Sequence, residues 1–164
     1  MKGRMKEYVN QLPVGWQLLG SYLVSLADRM GNRTISSAGL TANGALLRAG
    51  SAFHSLLNGR IVAKAANSDT ALSGTVVNAT HNVFALFIDS AGTLTTAMGV
   101  AGASLSAVIF PPVPVGKACV GYVHINPTGT GNFVGGTTTL ADGTVVPNAV
   151  YVNVIGPFDP TIIP

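Results

Sequence analysis

A strong hairpin signal lies in the first half of the chain. Residues 52–57 read AFHSLL, residues 60–63 read RIVA, and Asn58-Gly59 separates the two runs. Both positions of an Asn-Gly pair tolerate the positive φ angles of a type I′ turn, which joins antiparallel strands. The pattern therefore predicts an antiparallel hairpin over residues 52–63.

Further short apolar runs separated by turn residues follow this hairpin. Residues 82–89 read NVFALFID, which is apolar on both faces, as in a strand buried inside a sandwich. The turn residues 90–92 lead into a returning strand over 93–98. Two more strands are predicted over 118–126 and 149–155. Because no convincing helix follows residue 31, we expect a mainly β fold, an antiparallel β-sandwich or jelly roll.

The N-terminal part of the chain has a different periodicity. Large apolar residues recur at steps of three and four, which places them on one face of an amphipathic helix over about residues 13–30. Pro13 suits the first turn, where its missing N–H has no helical partner. This helix needs something to pack against. The residues on its apolar face are Trp16, Leu19, Leu23, Leu26 and Met30.

These patterns divide the chain into three parts. We expect an N-terminal helical arm over residues 1–43, a β-sandwich domain over 44–158 and a C-terminal tail over 159–164. Residues 31–50 are rich in Gly, Ser, Asn and Thr. They are interpreted as a connector with one short strand.

The chain has few charged residues. Only 9% of its residues are charged, although 48% are hydrophobic, whereas an average soluble domain has about 25% charged residues. A chain with so few charges either lies in a membrane or covers much of its surface with partners. The apolar window over residues 12–27 is interrupted by polar residues and glycines, and it ends short of the roughly 20 residues that a span needs. We therefore expect no membrane partner.

The net positive charge lies in the N-terminal segment, residues 1–33. The net charge is +3, and residues 34–164 contribute none of it. Basic residues before an apolar stretch are also typical of a signal peptide, but Glu7 and the broken apolar window favour an uncleaved N-terminus. A dense basic stripe with interleaved aromatics is missing, so we expect no nucleic-acid partner. The three cations of residues 2–6 could contact phosphate, contact an acidic protein surface, or simply be solvated. The candidate partner-binding residues are Lys2, Arg4, Lys6, Tyr8, Trp16, Leu19, Tyr22, Leu23 and Leu26.

No residue pattern predicts catalysis, and no cofactor or metal is expected. Cys119 and His124 lie five residues apart on one predicted strand, so they should point to opposite faces. The glycines of residues 129–136 lack the lysine of a phosphate-binding loop and the spacing of a dinucleotide fingerprint. A metal site built from His54, His81 and His124 on separate strands, or on a threefold axis, remains an alternative. We expect the protein not to be an enzyme.

Residues 83–155 contain a series of short motifs. They begin with the hairpin VFALFIDSAGTLTTAMG and the Pro-rich turn at 111–115, and they continue through the strand ACVGYV at 118–123, the segment 133–140 and Tyr151-Val152-Asn153. In these motifs the chain resembles tailed-phage head decoration and head-fibre proteins. The family usually has Pro-Ile where this chain has Cys119-Val120, and the N-terminal helix lies outside the resemblance. The Pro-rich turn is interpreted as a linker that crosses between sheets.

The resemblance implies a virion structural protein without enzymatic activity. It implies a β-sandwich or jelly roll, commonly trimeric, that binds the outside of an icosahedral shell. The expected partners are the major capsid protein and copies of the chain itself, and the expected location is the outer capsid surface of a virion made in the host cytoplasm. In this interpretation the protein is a cement or decoration protein, and its helix clamps the shell. A receptor- or glycan-binding head on a fibre is the alternative.

Overall fold

The structure, a computed structural model, describes residues 14–158. They form one α-helix, a short 3₁₀ turn at Leu105–Ala107 and twelve strands in four antiparallel sheets. The mainly β fold with an N-terminal helix is the predicted one. The elements are α1 Val14–Gly31, β1 Arg33–Thr34, β2 Leu40–Asn43, β3 Leu46–Ala49, β4 Phe53–Leu57, β5 Arg60–Lys64, β6 Ser68–Ala71, β7 Thr75–Val76, β8 Asn82–Ile88, β9 Leu94–Met98, β10 Ala118–Ile125, β11 Phe133–Val134 and β12 Val150–Asn153.

The two predicted hairpins are confirmed. Leu57 pairs with Arg60 across the β4–β5 turn, and both turn residues have positive φ, +52° at Asn58 and +78° at Gly59. These angles are those of a type I′ turn, which Asn-Gly adopts at low cost. The β8–β9 turn is held by Asp89, whose carboxylate accepts hydrogen bonds from two backbone N–H groups, those of Ala91 and Thr93. Local turn chemistry therefore accounts for the position of both turns.

The largest sheet has the strand order β12-β10-β8-β9. All seven residues of β8 are buried, because both faces of this sheet are covered. On one face, β8 and β10 contribute to the main core together with β2, β3 and β4 of the two three-stranded sheets. This arrangement of facing antiparallel sheets is a β-sandwich.

The other face of the large sheet is covered by residues 99–117. In this segment Val108 and Phe110 are buried, and the Phe110 ring packs edge-on against Tyr122 at 5.3 Å between centroids. β9 and β10 both pair antiparallel with β8, so the segment connects two strands of one sheet. The prediction that the Pro-rich turn crosses between sheets is wrong. Its prolines keep the chain extended over the sheet face, where it needs no ladder partner.

Strand β10 contains a β-bulge. Cys119 pairs with Phe87, and Gly121 pairs with the adjacent Leu86, which leaves Val120 as the extra residue. Such a bulge shifts the alternation of side chains by one position. Cys119 and Tyr122 therefore share the outer face with His124, and the prediction of opposite faces for Cys119 and His124 is wrong. A residue with a Cβ at Gly121 would clash with the backbone oxygen of Val152 on β12.

The region predicted as a connector contains more structure than expected. β1 pairs with β4, and β2 pairs with β3 and so joins a three-stranded sheet. The two-residue turn between β2 and β3 begins at Gly44, whose φ is +58°. The expected boundary between residues 43 and 44 thus falls at this turn. Residues 33–43, assigned to the arm from sequence, supply two strands to the sheets.

Candidate interaction surface

Helix α1 is attached to the sheets through its last turn. The side chain of the buried Asn32 donates to the carboxylate of Asp28 at 2.9 Å and accepts from the backbone N–H of Asn58 at 2.8 Å. The backbone N–H of Gly116 also donates to Asp28, at 3.4 Å. Arg33 donates to the backbone oxygen of Met30, a favourable position for a cation at the negative end of a helix. These bonds fix the helix to the β4–β5 turn and to the segment before β10.

The rest of the helix presents large apolar side chains to solvent. Trp16 is 63% exposed, Tyr22 65% and Leu23 53%. Neither of the two core clusters of the described residues includes a residue of α1. Leu19 and Leu26, the other two candidate residues in this helix, are exposed as well. The structure thus brings five candidate residues onto one uncovered face. The candidates Lys2, Arg4, Lys6 and Tyr8 lie outside the described residues.

The exposed apolar face follows a regular spacing. Its residues are separated by three, four, three and four positions, and we call the set the α1 seam: Trp16, Leu19, Leu23, Leu26 and Met30. Residues 14–27 contain no charged side chain. A helix face of this kind is suited to burial against another protein surface and has no charge to select an oppositely charged one.

The imidazoles of His81 and His124 meet at the start of β8. Nδ1 of His81 lies 3.0 Å from Nε2 of His124, and the ring planes differ by only 8°. The ring centroids are 5.2 Å apart, further than the two nitrogens, so the rings meet edge to edge in one hydrogen bond. Partial burial, and then the charge of His81, lowers the pKa of His124. The register explains the contact, because His124 pairs with Val83, two residues after His81.

Sequence spacing alone did not reveal this histidine pair. His54 lies on β4, exposed, and the structure does not bring it into the pair. Within residues 14–158, no three His, Cys, Asp or Glu residues form a group that could hold a metal ion. The metal site proposed from three histidines therefore has no geometric support in the described part of the chain.

Cys119 is placed where a thiol is unreactive. It is buried in the outer cluster of the large sheet, and its Sγ donates to the backbone oxygen of Gly121 at 3.6 Å. Burial raises the pKa of this thiol to about 12. The thiolate is the nucleophilic form of cysteine, so a protonated and covered thiol is a poor nucleophile at neutral pH.

Two further exposed apolar residues were not predicted from the sequence. Val100 and Ile109 pair in an isolated antiparallel bridge within the segment that covers the large sheet, and both are exposed. Val108 and Phe110, on either side of Ile109 in sequence, are buried. Only the alternation around residue 109 could have indicated which side faces solvent.

Comparison with protein-family models, with curated proteins and with solved structures finds no match for this chain. No helix in the part of the chain that the structure describes has the length and apolar character to cross a membrane.

Proposed function

We propose that this protein is a structural protein of a bacteriophage virion that binds the outside of the capsid and stabilises or decorates it. Its partners are the major capsid protein and other copies of the chain, with which it forms a homotrimer. It has no enzymatic role. It is made in the host cytoplasm and resides on the outer capsid surface.

The observation that carries this proposal is the uncovered apolar face of α1. Fully burying a large apolar side chain is worth about 1.5–3 kcal/mol. A monomer leaves the five residues of the α1 seam between 41% and 63% exposed, although hydrogen bonds hold the base of the helix in place. Such an arrangement is advantageous when the face is buried in an assembly.

Two further features support a structural role. The charge content is low, which fits a chain whose surface is covered by partners. In addition, the thiol of Cys119 is buried, and its raised pKa keeps it in the unreactive protonated form at neutral pH. The choice of the capsid as partner rests on the resemblance of residues 83–155 to phage head decoration and head-fibre proteins.

Co-sedimentation with undecorated capsids tests the proposal. The full chain should pellet with the capsids and saturate at a fixed number of copies per capsid. A chain lacking residues 1–30 should lose this binding but keep its sheets, because Asn32 and the β strands remain. Ile61→Ser, a change at an exposed residue of β5, serves as the matched control and should bind normally. Full occupancy by the truncated chain would refute a role for α1 in decoration.

A further inference from the structure

We propose that the α1 seam of one copy packs against the same seam of two other copies, in a short parallel three-helix bundle. This inference deepens the proposed function by naming the occupant of the helix face. It rests on the proposed function only because both require several copies of the chain to associate.

The spacing of the seam is that of a coiled coil. Alternating steps of three and four place Trp16, Leu23 and Met30 at heptad position a, and Leu19 and Leu26 at position d. A narrow a and d stripe forms the contact between helices in a coiled coil. The helix also carries apolar residues outside this stripe, Leu18 at position c and Val24 at position b, but the heptad spacing of its a and d residues favours another helix as the partner.

The seam points away from the body of its own chain. Asp28, whose side chain contacts Gly116 and Asn32, follows Leu19 by nine residues. At 3.6 residues per turn this is about two and a half turns, which places Asp28 on the opposite side of the helix. The contacts that hold α1 to the sheets thus leave the seam accessible to a second copy.

The flanks of the seam favour identical, parallel helices. Heptad position e is occupied by Gly20 and Ala27, and position g by Gly15, Tyr22 and Arg29. In a parallel bundle, position g lies beside position e of the neighbouring helix, so Tyr22 meets the small Ala27 of a second copy. In an antiparallel pair, position g faces position g, so the two Tyr22 side chains would face each other and the small residues at position e would leave a gap.

The same flanks favour three helices over two. In a two-stranded coiled coil, positions e and g lie at the edge of the contact and commonly carry charges. Here positions e and g carry no charge except for Arg29 at the C-terminal end of the seam, and Tyr22 is 65% exposed. A third helix covers both flanks of each seam, whereas a second covers mainly the a and d residues.

The short length of the helix requires support from the rest of the chain. Coiled coils usually extend over three or four heptads, and the seam has only about two. The hydrogen bonds of Asp28 and Asn32 hold α1 in a fixed direction relative to the sheets. Rotational symmetry then makes the helices of all copies parallel, with each C-terminal end on a β body.

The first test is the molar mass of the full chain without capsids, by size-exclusion chromatography with light scattering. We expect three times the chain mass. Leu23→Ser in the seam should reduce the mass to that of one chain. Leu18→Ser is the matched control, because Leu18 is a leucine of the same helix outside the seam and 72% exposed; it should remain a trimer. A monomeric full chain, or a trimeric Leu23→Ser variant, would overturn the inference.

Trp16 provides a local readout, because it is the only tryptophan of the chain. Its fluorescence emission should lie at shorter wavelength in the trimer than in the Leu23→Ser variant. Equal, solvent-like emission in both would contradict burial of the seam.

Orientation is tested with Met30→Cys. In a parallel bundle this residue meets its own copies, so oxidation should produce disulfide-linked dimers, whereas in an antiparallel arrangement it lies opposite residue 16. The unmodified chain is the control, because its Cys119 is buried. Lack of cross-linking in a trimeric Met30→Cys variant would exclude the parallel bundle.

These results are separable from those on the proposed function. A trimer that does not bind capsids leaves the bundle intact and refutes decoration. Capsid binding by a chain that is monomeric in solution refutes the bundle and leaves decoration intact.

Discussion

Strand β8 and helix α1 are both rich in large apolar residues, but the fold treats them differently. Every residue of β8 is buried, because the facing sheets cover one side and residues 99–117 cover the other. Helix α1 contacts the body through its last turn and leaves its apolar seam in solvent. The difference shows that apolar composition predicts a need for burial, whereas the elements available within the chain decide whether that need is met.

The sharpest test of this comparison is a cavity in β8. Phe84 is fully buried and its ring packs edge-on against Phe133 at 5.8 Å between centroids. Phe84→Ala should lower the free energy of unfolding by about 3–5 kcal/mol, because a large core side chain is lost and the cavity closes only partly. Urea unfolding followed by circular dichroism measures the change. Ile61→Ala at an exposed site should change it by no more than about 0.5 kcal/mol.

A smaller effect is expected where polar atoms are buried between the sheets. The hydroxyl of Thr34 on β1 donates to the backbone oxygen of Cys119 at 2.8 Å. The side-chain hydroxyl of Ser55 lies 3.2 Å from the Thr34 hydroxyl. Thr34→Val keeps the shape but removes these bonds, so we expect a loss of about 1–3 kcal/mol of unfolding free energy. Thr41→Val, at an exposed position of β2, is the matched control. Equal stability of the two variants would contradict a structural role for this bond.

The histidine pair predicts a dependence of stability on pH. The pKa of His124 in the folded protein lies below its ordinary value of 6.5, so the unfolded chain binds the proton more tightly. The stabilisation is therefore fully present above about pH 6.5 and is lost as the pH falls through the lower, folded pKa. Urea unfolding at pH 7.5 and 5.5 should show the decrease, and His124→Gln should reduce it. An undiminished decrease in the His124→Gln variant would contradict this assignment.

The smallest effect is expected on α1 outside its seam. Leu18 is 72% exposed, so Leu18→Ala should change the free energy of unfolding by less than about 0.5 kcal/mol. Thermal unfolding at several protein concentrations measures this. A larger loss would mean that the non-seam face of α1 is buried too, and would weaken the contrast with β8.

The sequence was sufficient where structure is determined locally. The Asn58-Gly59 turn and the buried strand β8 were predictable, because turn chemistry and an unbroken apolar run act over a few residues. Residues 31–50 were predicted to contain one short strand and contain three, β1, β2 and β3, because each is short and pairs with a partner selected by the tertiary fold. The bulge at Val120 was also missed, because it depends on how β10 aligns with β8.

The candidate surface was predictable in part for the same reason. The helical spacing of Trp16, Leu19, Leu23 and Leu26 identified the apolar face, because heptad steps are a local property. That this face points away from the sheets depends on the contacts of Asp28 and Asn32, which join residues distant in sequence. The contact between His81 and His124 likewise requires the β8–β10 register.

The pairing of Thr34 with Gly156 has a consequence for engineering the chain. The backbone N–H of Gly156 donates to the oxygen of Thr34 at 2.8 Å, so the β body begins and ends at adjacent points. A circular permutant could join these points through a short linker and open the chain at the Asn58-Gly59 turn. It would keep the strand pairs of the body and lose only the covalent link between β4 and β5. The same proximity means that a cargo fused after residue 158 would be displayed beside the base of α1.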